Sequence, residues 1–166
     1  IILHAIMNNV RRGADVPVAV ARYAYRNQLP KAEADEICEF LQKAVSGDRV
    51  SKWFDGYKQV ITERKIYFRY TDEKNNEMIL NKRPDRVVWT ADGGIDIIDY
   101  KFGRAKEDYL CQVNSYMKHF HEMGHDLVRG YVWYLDSGQI DEVKYDPDMP
   151  EYFPKSYEDT KNSDSD

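Results

Sequence analysis

The chain has 166 residues, of which 42% are hydrophobic and 32% charged, so it is large enough to form one domain with a real core. Its net charge of -5 lacks the overall basic signature of a nucleic-acid-binding protein. No apolar run approaches the roughly 20 residues that a membrane span needs. Cys38 and Cys111 are too far apart to suggest a zinc ribbon, an iron–sulfur cluster or a disulfide scaffold.

The first third of the chain has helical periodicity. Residues 1–10, 16–27 and 32–45 are predicted helices, and in the second of them Val20, Tyr23 and Ala24 share one face. The chain starts on an apolar turn, without Met and without a basic leader. We therefore expect a piece of a larger polypeptide that works in the reducing cytoplasm.

From residue 57 onward the pattern changes to β-branched and aromatic residues. Strands are predicted at 57–70, 77–80, 86–90, 95–100, 128–135 and 140–145. Residues 106–123 form a predicted helix that Gly124 ends. This helix would act as a crossover that makes the strands on either side of it parallel.

The order of these elements predicts the fold class and the domain boundaries. Helices, then strands, then a helix and further strands indicate an α/β domain over residues 1–145, with a mixed central β-sheet flanked by α-helices. Residues 146–166 are rich in Pro, Ser and acidic residues, and we expect them to form a disordered acidic tail.

Three residues whose side chains could take part in catalysis lie on two successive predicted strands. Asp85 opens the first strand, whereas Asp99 and Lys101 end the second and point to the same face. A hairpin between the strands would bring Asp85 close to Asp99. A carboxylate after Ile97-Ile98 is costly unless it is paired or bound to a metal. Mg²⁺ prefers such oxygen ligands, and a nearby ammonium can hold the attacking water or stabilise transition-state charge. The pattern predicts metal-dependent phosphodiester hydrolysis.

These residues resemble the motifs of the PD-(D/E)xK nuclease superfamily, and in particular its RecB/AddA-like branch. The resemblance runs from His4 to Leu135 and depends on four ordered matches: His4 on the first helix, Pro84-Asp85, Asp99-Tyr100-Lys101, and the Q-x-x-x-Y signature of Gln112 and Tyr116. Glu63 stands where the family carries a glutamate on the preceding strand. In this branch the domain is often the C-terminal part of a UvrD/Rep-type helicase–nuclease.

The resemblance implies a fold, a cofactor and a role for each residue. It implies a restriction-endonuclease-like core and Mg²⁺, which Mn²⁺ can replace, held by His4, Asp85, Asp99 and the carbonyl of Tyr100. Lys101 would activate the nucleophile. The residues implied to support catalysis or contact DNA are Glu63, Gln112 and Tyr116.

The implied activity is that of a DNA exonuclease acting in DNA repair and recombination. Its expected partners are single-stranded DNA ends and the helicase domains of the same polypeptide or complex. The pattern departs from the family in three respects: the leading Gly of the His motif lies before Ile1 or is absent, the cluster-binding cysteines of some relatives are missing, and no Walker motif is present. A catalytically inactive DNA-binding or scaffold module with the same fold, or another nuclease of the superfamily, stays open.

The sequence allows two interpretations for some residues. Glu63 lies in a polar run and could form a solvated ion pair instead of part of a site. Basic residues of the first helices could line a DNA path or form a solvated face: Arg11, Arg12, Arg22 and Arg26. We interpret His119, His121 and His125 as structural or solvent-facing, because no acidic general base is arranged with them as in H-E-x-x-H.

Overall fold

The structure of the protein is a computed structural model in which residues 2–153 are described. Its α-helices are α1 (Ile2–Met7), α2 (Val16–Asn27), α3 (Lys31–Ser46) and α4 (Glu107–Glu122), and short 3-10 helices span Gly13–Asp15 and Ser51–Trp53. Its strands are β1 (Gln59–Thr62), β2 (Ile66–Thr71), β3 (Glu77–Lys82), β4 (Arg86–Trp89), β5 (Ile95–Lys101), β6 (Val128–Tyr134) and β7 (Ile140–Val143). No helix within residues 2–153 is long and apolar enough to cross a membrane.

Five strands form the central sheet in the order β1-β4-β5-β6-β7. β5 and β6 are parallel and are connected through α4, whereas the other neighbouring pairs are antiparallel. The predicted crossover helix and the α/β class with a mixed sheet are therefore confirmed. β2 and β3 pair only with each other and form a separate hairpin.

Helices cover the sheet on both faces, which makes three layers. Ile98 and Tyr100 of β5 belong to the core shared with α1, α2 and α3, whereas Ile95 and Ile97 belong to the core beneath α4. Successive side chains of a strand alternate between the two faces, and both faces are covered here. β5 is therefore buried along nearly its whole length. The same alternation places Asp99 and Lys101 on the α4 side of the sheet.

A glycine sets how closely α4 approaches the sheet. A Cβ atom on Gly130 of β6 would lie 2.5 Å from the sulfur of Met117 and 2.6 Å from a methyl carbon of Val113. Any larger side chain would therefore push α4 outward. The position of α4 matters for function because it carries two predicted site residues next to β5.

The predicted strand over 57–70 is wrong, because the chain breaks into two strands there. Glu63 has a φ of +50°, a conformation unfavourable for an ordinary side chain, and it ends β1. β1 then pairs with β4, while β2 leaves the central sheet to pair with β3. The β-branched and aromatic composition is common to both strands, so it does not reveal the change of sheet.

The buried guanidinium of Arg86 connects the helical layer to the sheet. It donates to the main-chain carbonyls of Val10, Arg11 and Trp53, and it lies 4.0 Å from the centre of the Phe54 ring. Val10 follows α1 by three residues. Arg86 therefore fixes α1, and with it the predicted ligand on α1, against the strand that begins next to Asp85.

Part of the predicted tail contacts the domain. Asn114 of α4 exchanges two hydrogen bonds with the main chain of Asp146, at 2.8 and 3.0 Å. Glu151 accepts a hydrogen bond from Ser115. Residues 154–166 of the predicted tail lie outside the described residues.

Candidate metal centre

The β4–β5 hairpin brings the two predicted carboxylates together. Arg86 pairs with Ile98, so Asp85 and Asp99 lie at the same end of the hairpin. One carboxylate oxygen of Asp85 accepts a hydrogen bond from the main-chain nitrogen of Tyr100 at 2.7 Å. Asp85 and Asp99 are both buried. Each of the two carboxyl groups shifts the pKa of the other.

His4 comes to this centre from the opposite layer. Its Nε2 atom lies 2.9 Å from Oδ1 of Asp85, and its ring packs edge-on against Tyr100 at 5.9 Å between centroids. Nδ1 of His4 lies 3.2 Å from the side-chain amide nitrogen of Asn8. A single turn of α1 is therefore enough to present an imidazole to the end of the sheet.

Glu63 joins His4 and Asp85 in a group that could hold a metal ion. One ligand atom from each of the three residues lies within 4.8 Å of the others. The positive φ of Glu63 turns the chain sharply where β1 ends. Glu63 also accepts a hydrogen bond from the guanidinium of Arg83 at 2.8 Å, so the ion pair considered for Glu63 is present, and the same side chain lies near His4 and Asp85.

Asp99 lies beside this group and is not part of it. Its carboxylate lies 2.9 Å from Nζ of Lys101. Burial, together with the neighbouring charge of Asp85, raises the pKa of Asp99 to about 8, although Lys101 opposes this shift. The centre therefore holds a buried carboxyl group that is costly to ionise without a further cation.

The charge states of the other three groups follow from the same contacts. The hydrogen bond to Asp85 raises the pKa of His4, against the lowering effect of burial. Burial alone would raise the pKa of Asp85, but the contacts with His4, Asp99 and the Tyr100 main chain lower it below its ordinary value. Burial also disfavours a charged Lys101, yet the carboxylate of Asp99 leaves the pKa of Lys101 above its ordinary value.

Gln112 and Tyr116 lie one turn apart on α4 and contact each other. The side-chain amide of Gln112 donates to the hydroxyl of Tyr116 at 3.0 Å. Burial is the main reason that the pKa of Tyr116 is raised, and the charges of Asp99 and Asp85 raise it further. The hydroxyl of Tyr116 thus stays neutral within electrostatic range of the carboxylate pair, and Gln112 hydrogen-bonds it.

Other residues considered from the sequence are Tyr100 and the histidines at positions 119, 121 and 125. The main chain of Tyr100 is at the centre through its nitrogen, and ligation through its carbonyl stays a prediction. Within the described residues, no metal-binding group contains His119, His121 or His125. His121 bonds the carbonyl of His125 at 2.8 Å. His119 is buried in a different polar cluster.

Asn8 is a site residue that the sequence prediction missed. Its amide nitrogen contacts both His4 and Glu63, and its Oδ1 atom is buried without a hydrogen-bond partner among the described residues. Asn8 lies four residues after His4, the spacing at which helical side chains meet. The spacing could have indicated Asn8 from the sequence, but only once His4 is known to lie at the centre.

The donor atoms of this centre fit a divalent metal ion. Carboxylates suit Mg²⁺ and Mn²⁺, and an imidazole is more compatible with Mn²⁺ than with Mg²⁺. The Oδ1 atom of Asn8 is buried without a hydrogen-bond partner among the described residues, although the amide nitrogen of the same side chain contacts His4 and Glu63. The orphaned oxygen and the acidic donors thus favour a cation here.

Comparison with known proteins does not identify a family. No family model matches the chain, and no curated protein is detectably similar to it. The solved structure described as "Crystal structure of SSO0001" is similar at a TM-score of 0.42 and 13% identity, over 94% of this chain and 74% of the other. Similarity at that level carries no argument about chemistry, so the function has to be inferred from the centre itself.

Proposed function

We propose that this chain is a metal-dependent DNA nuclease with a restriction-endonuclease-like core, and that it hydrolyses phosphodiester bonds as an exonuclease. The observation that carries the proposal is the grouping of His4, Glu63 and Asp85 beside the Asp99–Lys101 pair. Phosphodiester hydrolysis needs charge neutralisation at phosphorus and an activated water. A divalent cation supplies both when it is bound.

The residues of the chain divide the remaining work. His4, Glu63 and Asp85 would hold Mg²⁺ or Mn²⁺, and Asp99 would complete the set once its proton is lost. Lys101 points to the same face as Asp99, so its ammonium can hold a water or stabilise developing negative charge.

Gln112 and Tyr116 would orient a phosphate or a water. They are neutral hydrogen-bonding groups, and such groups are poorer ligands for Mg²⁺ than carboxylates. They would therefore affect the rate of cleavage more than the affinity for metal.

The wider setting of the activity is part of the same proposal. We place the nuclease in cytoplasmic DNA repair and recombination, with single-stranded DNA ends as substrate. The net charge of -5 favours weak independent DNA binding. Helicase domains of the same polypeptide or complex would then deliver the strand to the centre.

Cleavage of linear and circular single-stranded DNA tests the activity and its mode. With Mg²⁺ or Mn²⁺ the chain should degrade a linear end-labelled strand and leave the circle intact, and EDTA should stop the reaction. Asp85→Asn, Asp99→Asn and Lys101→Met should each reduce cleavage by about 100-fold or more. Asp126→Asn, which removes an exposed carboxylate, is the matched control and should keep full activity.

Circular dichroism on each variant separates a lost site from a lost fold. If the folded chain binds single-stranded DNA but cuts it with neither metal, the proposal fails in favour of the inactive DNA-binding module. Cleavage of the circle would instead make the protein an endonuclease.

A further inference from the structure

A second buried polar cluster lies between α4 and the β2–β3 hairpin. Lys82, Ser115 and His119 are all buried, and they converge on one carboxylate oxygen of Glu151. Ser115 donates to this oxygen at 2.6 Å, Nε2 of His119 lies 3.3 Å away, and Lys82 forms an ion pair with it. We call the side chains of Lys82, Ser115 and His119 the oxyanion pocket.

The oxyanion pocket combines one ammonium with a hydroxyl and an imidazole beside an aromatic ring. The aromatic ring of Phe68 stacks on His119 with 3.9 Å between ring centroids, and Nζ of Lys82 lies 5.1 Å from the centre of the same ring. The side chain of Lys82 is only 4% exposed, and burial lowers its pKa. A buried ammonium is tolerated when an anion compensates it. In this structure the compensating anion is the carboxylate of Glu151.

The oxyanion pocket adjoins the candidate metal centre through two connections. Lys82 precedes Asp85 by three residues, so their Cα atoms are at most about 11 Å apart. Ser115 is the neighbour of Tyr116 on α4, and Tyr152 next to Glu151 acts electrostatically on Tyr116.

We propose that Lys82, Ser115 and His119 bind a phosphate group of the nucleic-acid strand that enters the metal centre, and that Glu151 competes for the same pocket. This inference rests on the proposed nuclease function. A hydroxyl, an imidazole and an ammonium donate to phosphate oxygens as well as to a carboxylate. Glu151 thus lowers the affinity of the chain for substrate until a phosphate displaces it.

Charge removal at Glu151 tests the competition. Glu151→Gln keeps the shape of the side chain and removes its charge, whereas Asp148→Asn removes one exposed charge from the same segment and is the matched control. Binding of fluorescein-labelled oligo(dT) is measured by anisotropy in EDTA, where no cleavage occurs. Glu151→Gln should bind on the order of tenfold more tightly than Asp148→Asn, with a salt slope steeper by about 0.7, as one further phosphate contact requires.

A double variant identifies the pocket as the source of the gain. Adding Lys82→Met to Glu151→Gln should abolish the tighter binding, because the ammonium that receives the phosphate is gone. Equal affinity of Glu151→Gln and Asp148→Asn would overturn the proposal, since it would reduce Glu151 to a general charge effect or a purely structural contact.

A second measurement covers the case in which Glu151→Gln unfolds. Inorganic phosphate added to the wild-type protein should give saturable NMR shifts at Ser115, His119 and Glu151, and Lys82→Met should lose them. Shifts that do not saturate, or that avoid these residues, would overturn the proposal.

The two proposals fail separately. A chain that gains affinity with Glu151→Gln but never cuts DNA keeps the oxyanion pocket and loses the nuclease. A chain that cuts DNA while Glu151→Gln behaves like Asp148→Asn keeps the nuclease and loses the pocket.

Discussion

Replacing Arg86 with methionine should destabilise the fold and weaken metal binding together. Arg86 is fully buried, and its guanidinium is the donor to the carbonyls of Val10, Arg11 and Trp53. Methionine has a similar length and fills much of the same volume, but it donates no hydrogen bond. The substitution therefore tests the donors and not the packing.

The size of the effect follows from the acceptors that lose a partner. The carbonyl of Arg11 also accepts from the hydroxyl of Tyr57 at 3.1 Å and keeps that bond. The loss falls mainly on the carbonyls of Val10 and Trp53, and each unsatisfied buried acceptor costs about 1–3 kcal/mol. Methionine avoids burying a charge, which offsets part of this cost. We expect the free energy of unfolding to fall by about 3 kcal/mol.

Urea unfolding followed by tryptophan fluorescence measures this loss, and Arg26→Met is the control because Arg26 is exposed on α2. The control should change stability by less than about 0.5 kcal/mol. Calorimetric titration with Mn²⁺ should show weaker binding by Arg86→Met, because α1 and His4 lose their anchor. If Arg86→Met is as stable as Arg26→Met, the hydrogen bonds of the guanidinium do not hold α1 against the sheet.

Three further predictions follow from single contacts. Gly130→Ala should lower stability in urea by about 1–3 kcal/mol because its Cβ would meet Met117, and a stability equal to wild type would refute the close packing of α4. In EDTA, wild type should lose thermal stability relative to Asp99→Asn between pH 5 and pH 8, because the folded pKa of Asp99 is raised to about 8 and ionising it there is unfavourable. A constant difference across this range would contradict the burial argument. Mn²⁺ affinity should fall as the pH drops through the raised pKa of His4, since proton and metal compete for the ring, and calorimetry of His4→Asn should show a weaker pH dependence.

The sequence predicted the architecture because the strongest signals are local. The apolar face of α4 and the apolar runs of β5 and β6 lie next to each other in the chain, so the crossover follows from their order. Asp85 and Asp99 meet for the same reason: a short hairpin connects their strands. Nothing beyond local pattern was needed for these parts of the fold and the centre.

The parts that escaped prediction depend on contacts between distant segments. The break at Glu63 exists because β1 joins one sheet and β2 another, and both strands have the same composition. Arg86 reaches carbonyls more than thirty positions away along the chain, which no periodicity reveals. The convergence of Lys82 and Glu151 likewise joins segments with no common motif.

Two aspartates of β5 show why residue type alone cannot separate a structural acid from a chemical one. Asp96 and Asp99 are both buried, three residues apart on one strand, and they point to opposite faces. Asp96 has complete partners: the indole of Trp53 donates at 2.8 Å and the guanidinium of Arg129 at 2.5 Å. Asp99 instead faces the carboxylate of Asp85, so its charge stays partly uncompensated. An acid whose partners satisfy it stabilises the sheet, whereas one set against another acid gains from an added cation.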